Sequence, residues 1–174
     1  MITKRISSPI GPLSITCRKG RITQVGFAQQ SNEYTCFIQA DEGYLDQERC
    51  VIDSAERELN QYFSGDLYAF NVPFSLSGGE FQQKVWNEII NIPYGQTRTY
   101  SQIATAIGNP KAARAVGNAC SANPVAIIVP CHRVVSRNGI GGYGGGQLAK
   151  EYLLALEAKG SPPPSNNLLI EKPI

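Results

Sequence analysis

The sequence predicts a mixed α/β fold in two domains, residues 1–75 and 76–160, followed by a proline-rich tail, 161–174. Short strand-like runs separated by turn residues fill the first 28 positions, and helical periodicity begins at Asp53. The segment LYAFNVPFSLSGG, which ends at Gly79, has neither pattern and resembles a linker. The 174 residues, 42% of them hydrophobic, suffice to build a core.

The first domain is expected to form an antiparallel meander and then a helix. ITKRISS, PLSIT and RITQVGFA are strand-like, and SPIGP and RKG between them are turn-forming. Residues 28–52 show no clear pattern. The helix is predicted to begin at Asp53, with Glu56 completing a capping box, and to end at Gly65. Nothing in this half suggests chemistry, so we interpret it as a packing domain.

The second domain is predicted to begin with a helix capped by Ser77 and Glu80. Its apolar face would consist of Phe81, Val85, Trp86, Ile89 and Ile90. A second helix, YSQIATAIG, ends at Gly108, and a third, KAARAVGNACSA, restarts at Asn109 with Pro110 in its first turn. Two short helices joined by a glycine turn predict a helix-turn-helix.

An apolar strand, VAIIV, is expected next, and Pro130 is expected to end it because proline cannot donate to a ladder. The loop SRNGIGGYGGGQ then has six glycines between positions 139 and 146, which permits close approach of a flat ligand. It formally contains G-x-G-x-x-G, but no βαβ unit surrounds it, so we exclude a dinucleotide site. The last helix, QLAKEYLLALEAKG, is predicted to pack through Leu148, Tyr152 and Leu156.

Charge is unevenly distributed along the chain. Positions 1–77 have seven basic and nine acidic residues, whereas positions 78–160 have eight and four. No acidic residue lies between Glu88 and Glu151. This basic segment favours a polyanionic partner, with chance in a weakly charged chain as the alternative. The small side chains of the third helix favour a shallow groove bound without sequence preference over base readout in the major groove.

The cysteines indicate a reducing compartment. There are five, an odd number without a C-x-x-C pair, which disfavours a disulfide framework or a zinc ribbon. The N-terminus has no apolar signal-peptide region, and no apolar run reaches the length of a membrane span. We therefore expect a soluble cytoplasmic protein without a membrane partner.

Cys131 directly precedes His132, the only histidine of the chain. The simplest interpretation is a buried thiol beside a surface imidazole. A zinc site lacks ligands, and a cysteine hydrolase needs a histidine that reaches the sulfur, which is awkward between neighbours in an extended chain. A water molecule between the two would let His132 take the thiol proton, with Glu157 or Glu151 holding the other ring nitrogen. Arg133 would also favour the thiolate.

VPCHRVV, preceded by NPKAARAVGNACSANPVAII and followed by the glycine-tyrosine loop, resembles the O6-alkylguanine-DNA alkyltransferases. FQQKVWNEIINIPYGQTRTYSQIA is similar to the same family, and the resemblance runs from about Asp53 to Gly160. It implies an N-terminal ribonuclease-H-like domain and a C-terminal helix-turn-helix (winged-helix-like) domain. The implied function is DNA repair by irreversible transfer of an alkyl group from O6 of guanine, with O4 of thymine as a second candidate, to a cysteine that reacts once. The implied partner is duplex DNA containing O6-alkylguanine, bound by a monomer without cofactor, metal or obligate protein partner.

The resemblance also implies residue roles. Cys131 is the nucleophile, which His132, through water, and Glu157 activate. Asn123 orders the turn around the site, and Tyr100 gives its hydroxyl to a guanine ring nitrogen.

Further roles concern DNA and the pocket. Arg114 would enter the duplex and fill the space of the flipped nucleotide. The other implied DNA-binding residues are Lys111, Ala113, Ala115 and Arg133. The implied pocket residues are Val134, Tyr143, Gly144 and Gly145.

Two positions depart from the family pattern. Family members commonly have a serine where this chain has Gly144, so a side-chain contact to O6 would be missing. Cys17 matches one ligand of a zinc site that some members hold, but no histidine completes it, and we expect no zinc. A DNA-binding regulator would not need Cys131, and a non-catalytic lesion binder would have replaced it.

Overall fold

The computed structural model describes residues 1–28 and 45–160. Three antiparallel strands, β1 (Ile2–Ile6), β2 (Leu13–Arg18) and β3 (Arg21–Phe27), form a sheet in the order β1-β2-β3. The predicted meander is therefore confirmed. Cys36 and most of the unpatterned segment lie outside the described residues, as does the tail.

Helix α1 (Leu45–Ser64) packs against this sheet. The predicted start at Asp53 is wrong, because Asp53 lies in the middle of the helix. Its carboxylate binds Lys4 of β1 at 2.8 Å, and Glu56 binds the same ammonium at 2.6 Å. The two acidic residues thus join helix to sheet instead of capping the helix. Gly65, with φ +84°, follows the last helical residue as predicted.

The outer edge of β3 is hydrogen-bonded to the linker segment at Pro73 and to the C-terminal half at Pro124 and Ala126. Ile22 donates to the carbonyl of Pro73 at 2.8 Å. Val25 donates to Pro124 at 2.9 Å and accepts from Ala126 at 3.0 Å. Buried side chains from both halves form one hydrophobic cluster. Residues 124–126, which shortly precede Cys131, are therefore hydrogen-bonded to the N-terminal sheet.

Helix α2 (Glu80–Ile90) has Gly79 as its N-cap residue, not Ser77. The Gly79 N–H donates to Gln82 Oε1 at 2.9 Å, so the glutamine satisfies the helix start in place of Glu80. Val85, Trp86 and Ile89 of the predicted face are buried, whereas Ile90 is exposed.

Helices α3 (Tyr100–Ala106) and α4 (Ala113–Ser121) pack on each other, as a helix-turn-helix requires. The predicted restart at Asn109 is wrong. The Asn109 N–H donates to Ala104 at 2.8 Å and so belongs to the end of α3, while Ala112 caps α4. The turn is accordingly longer than the sequence predicts, with Gly108 at φ +76°.

The segment VAIIV does not form the predicted strand. Ile127 has φ +73°, which bends the chain back so that Val129 donates to Val125 at 2.9 Å. A left-handed β-branched residue is costly, so the contacts around it must impose it. Instead, an unpredicted parallel pair forms between β4 (Arg98–Thr99) and β5 (Val134–Val135).

Helix α5 (Gln147–Lys159) packs on the core through Leu156 as predicted, but not through the other two predicted residues. Leu148 is 83% exposed and Tyr152 is 38% exposed. The buried residues are Ala149, Lys150, Leu153 and Glu157. Two charged residues occupy this face because each finds hydrogen-bond partners inside. No helix of the described residues is long and apolar enough to cross a membrane.

Candidate active site

Cys131 begins a single 3₁₀ turn, Cys131–Arg133, directly before β5. Its thiol is buried, with 5% of the residue exposed, and accepts a hydrogen bond from Asn123 Nδ2 at 3.1 Å. The sequence predicts an extended chain here, in which neighbouring side chains point apart. A 3₁₀ turn changes the directions of neighbouring side chains, so that objection to cooperation with His132 does not hold.

Asn123 holds the bend that precedes this turn. Its Oδ1 accepts from the Val125 N–H at 3.0 Å, and its Nδ2 donates to the Val129 carbonyl at 2.9 Å. One side chain thus closes the loop around Ile127 and directs an N–H at the Cys131 sulfur. This geometry supports the role that the sequence implies for Asn123.

His132 is fully buried and bound to Glu157 of α5. Its Nε2 lies 2.7 Å from Glu157 Oε1. Because a carboxylate only accepts, Nε2 carries the proton and Nδ1 is the acceptor. Nδ1 has no hydrogen-bond partner among residues 1–28 and 45–160. A neutral imidazole in this tautomer can take a proton at Nδ1.

Arg133 is not placed to contact DNA, contrary to the expectation from the sequence. Only 6% of the residue is exposed. Its Nε donates to Glu157 Oε2 at 2.9 Å, and its Nη1 donates to the Ile92 carbonyl at 2.7 Å. The planar guanidinium suits this buried carboxylate, and within the described ranges no other lysine or arginine forms an ion pair with it.

The electrostatics of the cluster decide which groups are charged before reaction. Burial raises the pKa of the Cys131 thiol, although the hydrogen bond from Asn123 opposes that shift. Burial lowers the pKa of His132. Burial also raises the pKa of Glu157, but the hydrogen bonds and charges of His132 and Arg133 outweigh it and hold this pKa at about 2. At neutral pH the site holds a thiol, a neutral imidazole and a carboxylate.

Lys150 is buried beside the same site, although it belongs to the acid-free basic segment that we interpreted as a charged surface. Its Nζ donates to the carbonyls of Val134 at 2.6 Å and Gly142 at 3.0 Å. The ammonium also lies 5.8 Å from the ring centre of Tyr100. The Tyr100 hydroxyl donates to Gly142 at 3.4 Å, so lysine and tyrosine hold the glycine-rich loop against β5.

Of the implied pocket residues, Tyr143 and Gly145 lie against the N-terminal half. Val134 is buried, whereas Gly144 is exposed. The Tyr143 ring packs edge-on against Phe27 of β3, with 5.5 Å between ring centres. A Cβ at Gly145 would lie 2.2 Å from the Phe27 ring, so only glycine fits there. An N-terminal phenylalanine therefore shapes the loop, which the sequence did not predict.

The exposed cations of the helix-turn-helix lie at the start of α4. Lys111, Arg114 and Ala115 are exposed, and Ala113 is half-buried. Arg98 forms an ion pair with Glu88 at 2.5 Å, and Arg133 and Lys150 of the same acid-free segment are buried. The basic surface is thus smaller than the acid-free segment suggests.

The sequence missed Tyr62 and the buried position of Lys150. Tyr62 falls on the apolar pattern of α1, and nothing in its sequence context distinguishes it from a core residue. For Lys150 there was a signal, since Lys150, Leu153 and Glu157 share one helical face.

Two family models match the chain. One, described as 6-O-methylguanine DNA methyltransferase, ribonuclease-like domain, matches residues 1–76. The other, described as 6-O-methylguanine DNA methyltransferase, DNA binding domain, matches residues 80–159.

Proteins with similar sequences and structures have names that match these two models. A methylated-DNA–protein-cysteine methyltransferase from Methanosarcina acetivorans is 45% identical over 151 residues, which cover 86% of this chain and 94% of that protein. The crystal structure of Mycobacterium tuberculosis O6-methylguanine methyltransferase gives a TM-score of 0.78 at 42% identity, covering 93% of this chain and 96% of the other. A mycobacterial structure in complex with DNA gives 0.76 at 43% identity, covering 90% and 92%. The chain therefore belongs to the 6-O-methylguanine DNA methyltransferase family.

Proposed function

We propose that this chain repairs duplex DNA by moving an alkyl group from O6 of guanine to the sulfur of Cys131, once per molecule. The observation that carries the proposal is a buried thiol one residue before a histidine whose Nε2 is bound to an ionised carboxylate, Glu157. Family membership and the names of the relatives support the reaction type.

The proposed transfer needs a thiolate made at the moment of reaction. His132 Nδ1 accepts the thiol proton through a water molecule. The sulfur then forms a bond to the alkyl carbon while the carbon–O6 bond breaks, and the electron pair of that bond goes to the guanine. The Tyr100 hydroxyl protonates the ring nitrogen, so neutral guanine leaves. The protons of His132 and Tyr100 then re-equilibrate with solvent.

The chemistry of sulfur supports a single turnover. A thiolate is the soft nucleophile that attacks a saturated carbon at neutral pH. The product is a thioether, which has no good leaving group. Cys120 offers no second nucleophile, because burial raises the pKa of its thiol to about 12. We propose that the alkylated protein is the end state.

Access to O6 requires the nucleotide to leave the stack, because the atom is buried in the duplex. Arg114 is exposed at the start of α4 and is the proposed replacement for the flipped base. Lys111 supplies a nearby cation for a phosphate. We further propose that the protein acts as a monomer, and that the two halves are the ribonuclease-H-like and winged-helix-like domains that the resemblance implies.

An intact-protein mass spectrum tests the proposal. The protein is incubated with duplex DNA containing O6-methylguanine, and a second sample receives O4-methylthymine. We expect a mass gain of one methylene group, located on Cys131, that reaches a plateau at one equivalent. No gain would overturn the transfer and leave a lesion-binding protein. Repaired DNA well above one equivalent would overturn the single turnover.

A further inference from the structure

We infer that Tyr62, on α1 of the N-terminal half, is a positioning residue for the transfer reaction. Its hydroxyl holds the His132–Glu157 pair in the arrangement that leaves Nδ1 of His132 as the base. The inference deepens the proposed function and rests on it, since it concerns the group that activates Cys131.

The contacts of Tyr62 carry this inference. The residue is fully buried, and its hydroxyl donates to Glu157 Oε1 at 2.7 Å. The same hydroxyl lies 3.3 Å from His132 Nε2. A buried phenol needs a hydrogen-bond partner, and here the partner is the oxygen that also binds the imidazole. Helix α1 thereby places a polar group from the N-terminal half inside the relay formed by Cys131, His132 and Glu157.

The hydroxyl reduces the pull of the carboxylate on the imidazole. Glu157 Oε1 accepts from Tyr62, from His132 at 2.7 Å and from Arg133 Nη2 at 2.9 Å. Each donor withdraws charge from this oxygen. The oxygen therefore still orients the Nε2 proton but stabilises the imidazolium form of His132 less. Without the hydroxyl, Oε1 becomes a stronger acceptor, and His132 is protonated at a higher pH. An imidazolium cannot accept the proton of Cys131.

The remaining groups around the imidazole do not replace this contact. Lys150 of α5 acts on it only through its charge, and Arg133 of the same turn binds the carboxylate instead. The Tyr143 ring of the glycine-rich loop lies 6.3 Å away between ring centres. Among the residues that the structure describes, the hydrogen-bond partners of Nε2 are Glu157, which accepts its proton, and the Tyr62 hydroxyl.

Tyr94 offers a matched control. It is buried next to Tyr62, with 6.0 Å between ring centres, and its hydroxyl has no hydrogen-bond partner within the described ranges. Tyr62→Phe and Tyr94→Phe therefore remove the same atom from neighbouring buried rings. Only the first removes a contact with the relay.

The first measurement is the single-turnover rate of methyl transfer from O6-methylguanine DNA as a function of pH. We expect Tyr62→Phe to be on the order of 10-fold slower near neutral pH, since it removes a hydrogen bond to a charged group. The acid limb of its pH profile should move to higher pH. Tyr94→Phe should match the wild type in rate and profile, and equal behaviour of both variants would contradict the inference.

The second measurement does not depend on alkyl transfer. His132 is the only histidine, so ¹⁵N NMR of histidine-labelled protein reports its tautomer and titration without assignment. We expect the Nε2–H tautomer in the wild type and Tyr94→Phe, and a titration displaced to higher pH in Tyr62→Phe. An Nδ1–H tautomer in the wild type would overturn the inference even if Tyr62→Phe failed to fold. A wild type with the expected spectra that accepts no alkyl group would overturn only the proposed function.

Discussion

The resting state of Cys131 is set by its surroundings. Burial raises the pKa of the thiol, so the sulfur is protonated at rest, and in the proposed reaction His132 takes that proton. A thiol in this state resists oxidation, which an exposed thiolate would not. The proposed reaction therefore needs a base that is neutral at physiological pH, and burial, which lowers the pKa of His132, keeps its imidazole neutral.

Cys131→Ser should abolish alkyl transfer and leave DNA binding within about twofold of the wild type, because phosphate contacts supply most of the affinity for duplex DNA. The exposed cations of α4 lie outside the relay and are unchanged. Gel shifts with O6-methylguanine duplex and mass spectra of the protein check both parts. Cys120→Ser is the matched control and should still transfer. A folded Cys131→Ser protein that no longer binds DNA would contradict the prediction.

Acid should destabilise the protein through two residues. Glu157 has a folded pKa of about 2, below its unfolded value, so its contribution is present at neutral pH and is lost as pH falls through the acidic range. His132 has a lowered pKa, so stability also falls as pH drops below the usual imidazole range. Glu157→Gln should lower the free energy of unfolding at pH 7 by on the order of 3 kcal/mol and flatten its pH dependence. Urea titrations at several pH values measure the free energy of unfolding, with the exposed substitution Glu80→Gln as the control. A pH dependence as steep in Glu157→Gln as in the wild type would refute the prediction.

Two elements have separate proposed roles: helix α4 binds the DNA, and the glycine-rich loop contacts the flipped base. Helix α4 places Arg114 in solvent at its first turn. The glycine-rich loop lies between α3 and β3, held by Lys150 on one side and Phe27 on the other. The loop is shaped by its contacts as well as by its glycines.

Arg114→Ala should slow repair of duplex DNA far more than reaction with free O6-methylguanine base. The side chain is proposed to replace the flipped nucleotide, and a free base needs no replacement. Single-turnover rates with both substrates decide the matter. Lys111→Ala, which removes a proposed phosphate contact, serves as the comparison and should weaken duplex binding. Equal slowing of both reactions by Arg114→Ala would make Arg114 an ordinary phosphate contact too.

Gly145→Ala should destabilise the protein by about 1 to 3 kcal/mol, because the new methyl group would overlap the Phe27 ring. Gly144→Ala should be close to neutral, since nothing lies within 4 Å of its added Cβ. Thermal melts of both variants test the difference. Adding Phe27→Ala to Gly145→Ala should recover part of the stability in a double-mutant cycle, and additive effects would show that the two residues do not interact.

Across the whole molecule, the N-terminal half is part of the site. Edge strand β3 is hydrogen-bonded to the segment before Cys131, α1 supplies Tyr62, and one hydrophobic cluster spans both halves. The interpretation of residues 1–75 as a packing domain is therefore too narrow.

Methylation of Cys131 should lower the melting temperature of the whole protein. The added methyl group enters a site with 5% exposure beside Asn123 and costs about 1 to 3 kcal/mol, which corresponds to roughly 2 to 12 °C for a chain of this size. Melts before and after stoichiometric reaction measure the shift. Cys131→Ser exposed to the same DNA should not change. An unchanged or higher melting temperature after complete alkylation would disprove the strain.

The sequence alone determined the features that depend on local pattern. Strand-like runs separated by turn residues predicted the three strands β1 to β3, helical periodicity predicted the helices of the described residues, and Gly65 and Gly108 marked two helix ends. Cys131, His132 and Glu157 were identified from neighbouring residue types and from family resemblance. The sequence shows directly which side chains carry a thiol, an imidazole or a carboxylate, so the candidate nucleophile, base and carboxylate could be named before the structure was known.

Tertiary structure decided which side chains meet and which charges are buried. VAIIV has strand propensity, but Asn123 and β3 take its backbone hydrogen bonds and bend it at Ile127. Arg133 and Lys150 are basic in any sequence count, yet both are buried because Glu157 and backbone carbonyls satisfy them. Tyr62 reaches Glu157 across 95 positions of the chain. Such contacts depend on the packing of distant segments, and local propensity contains no information about it.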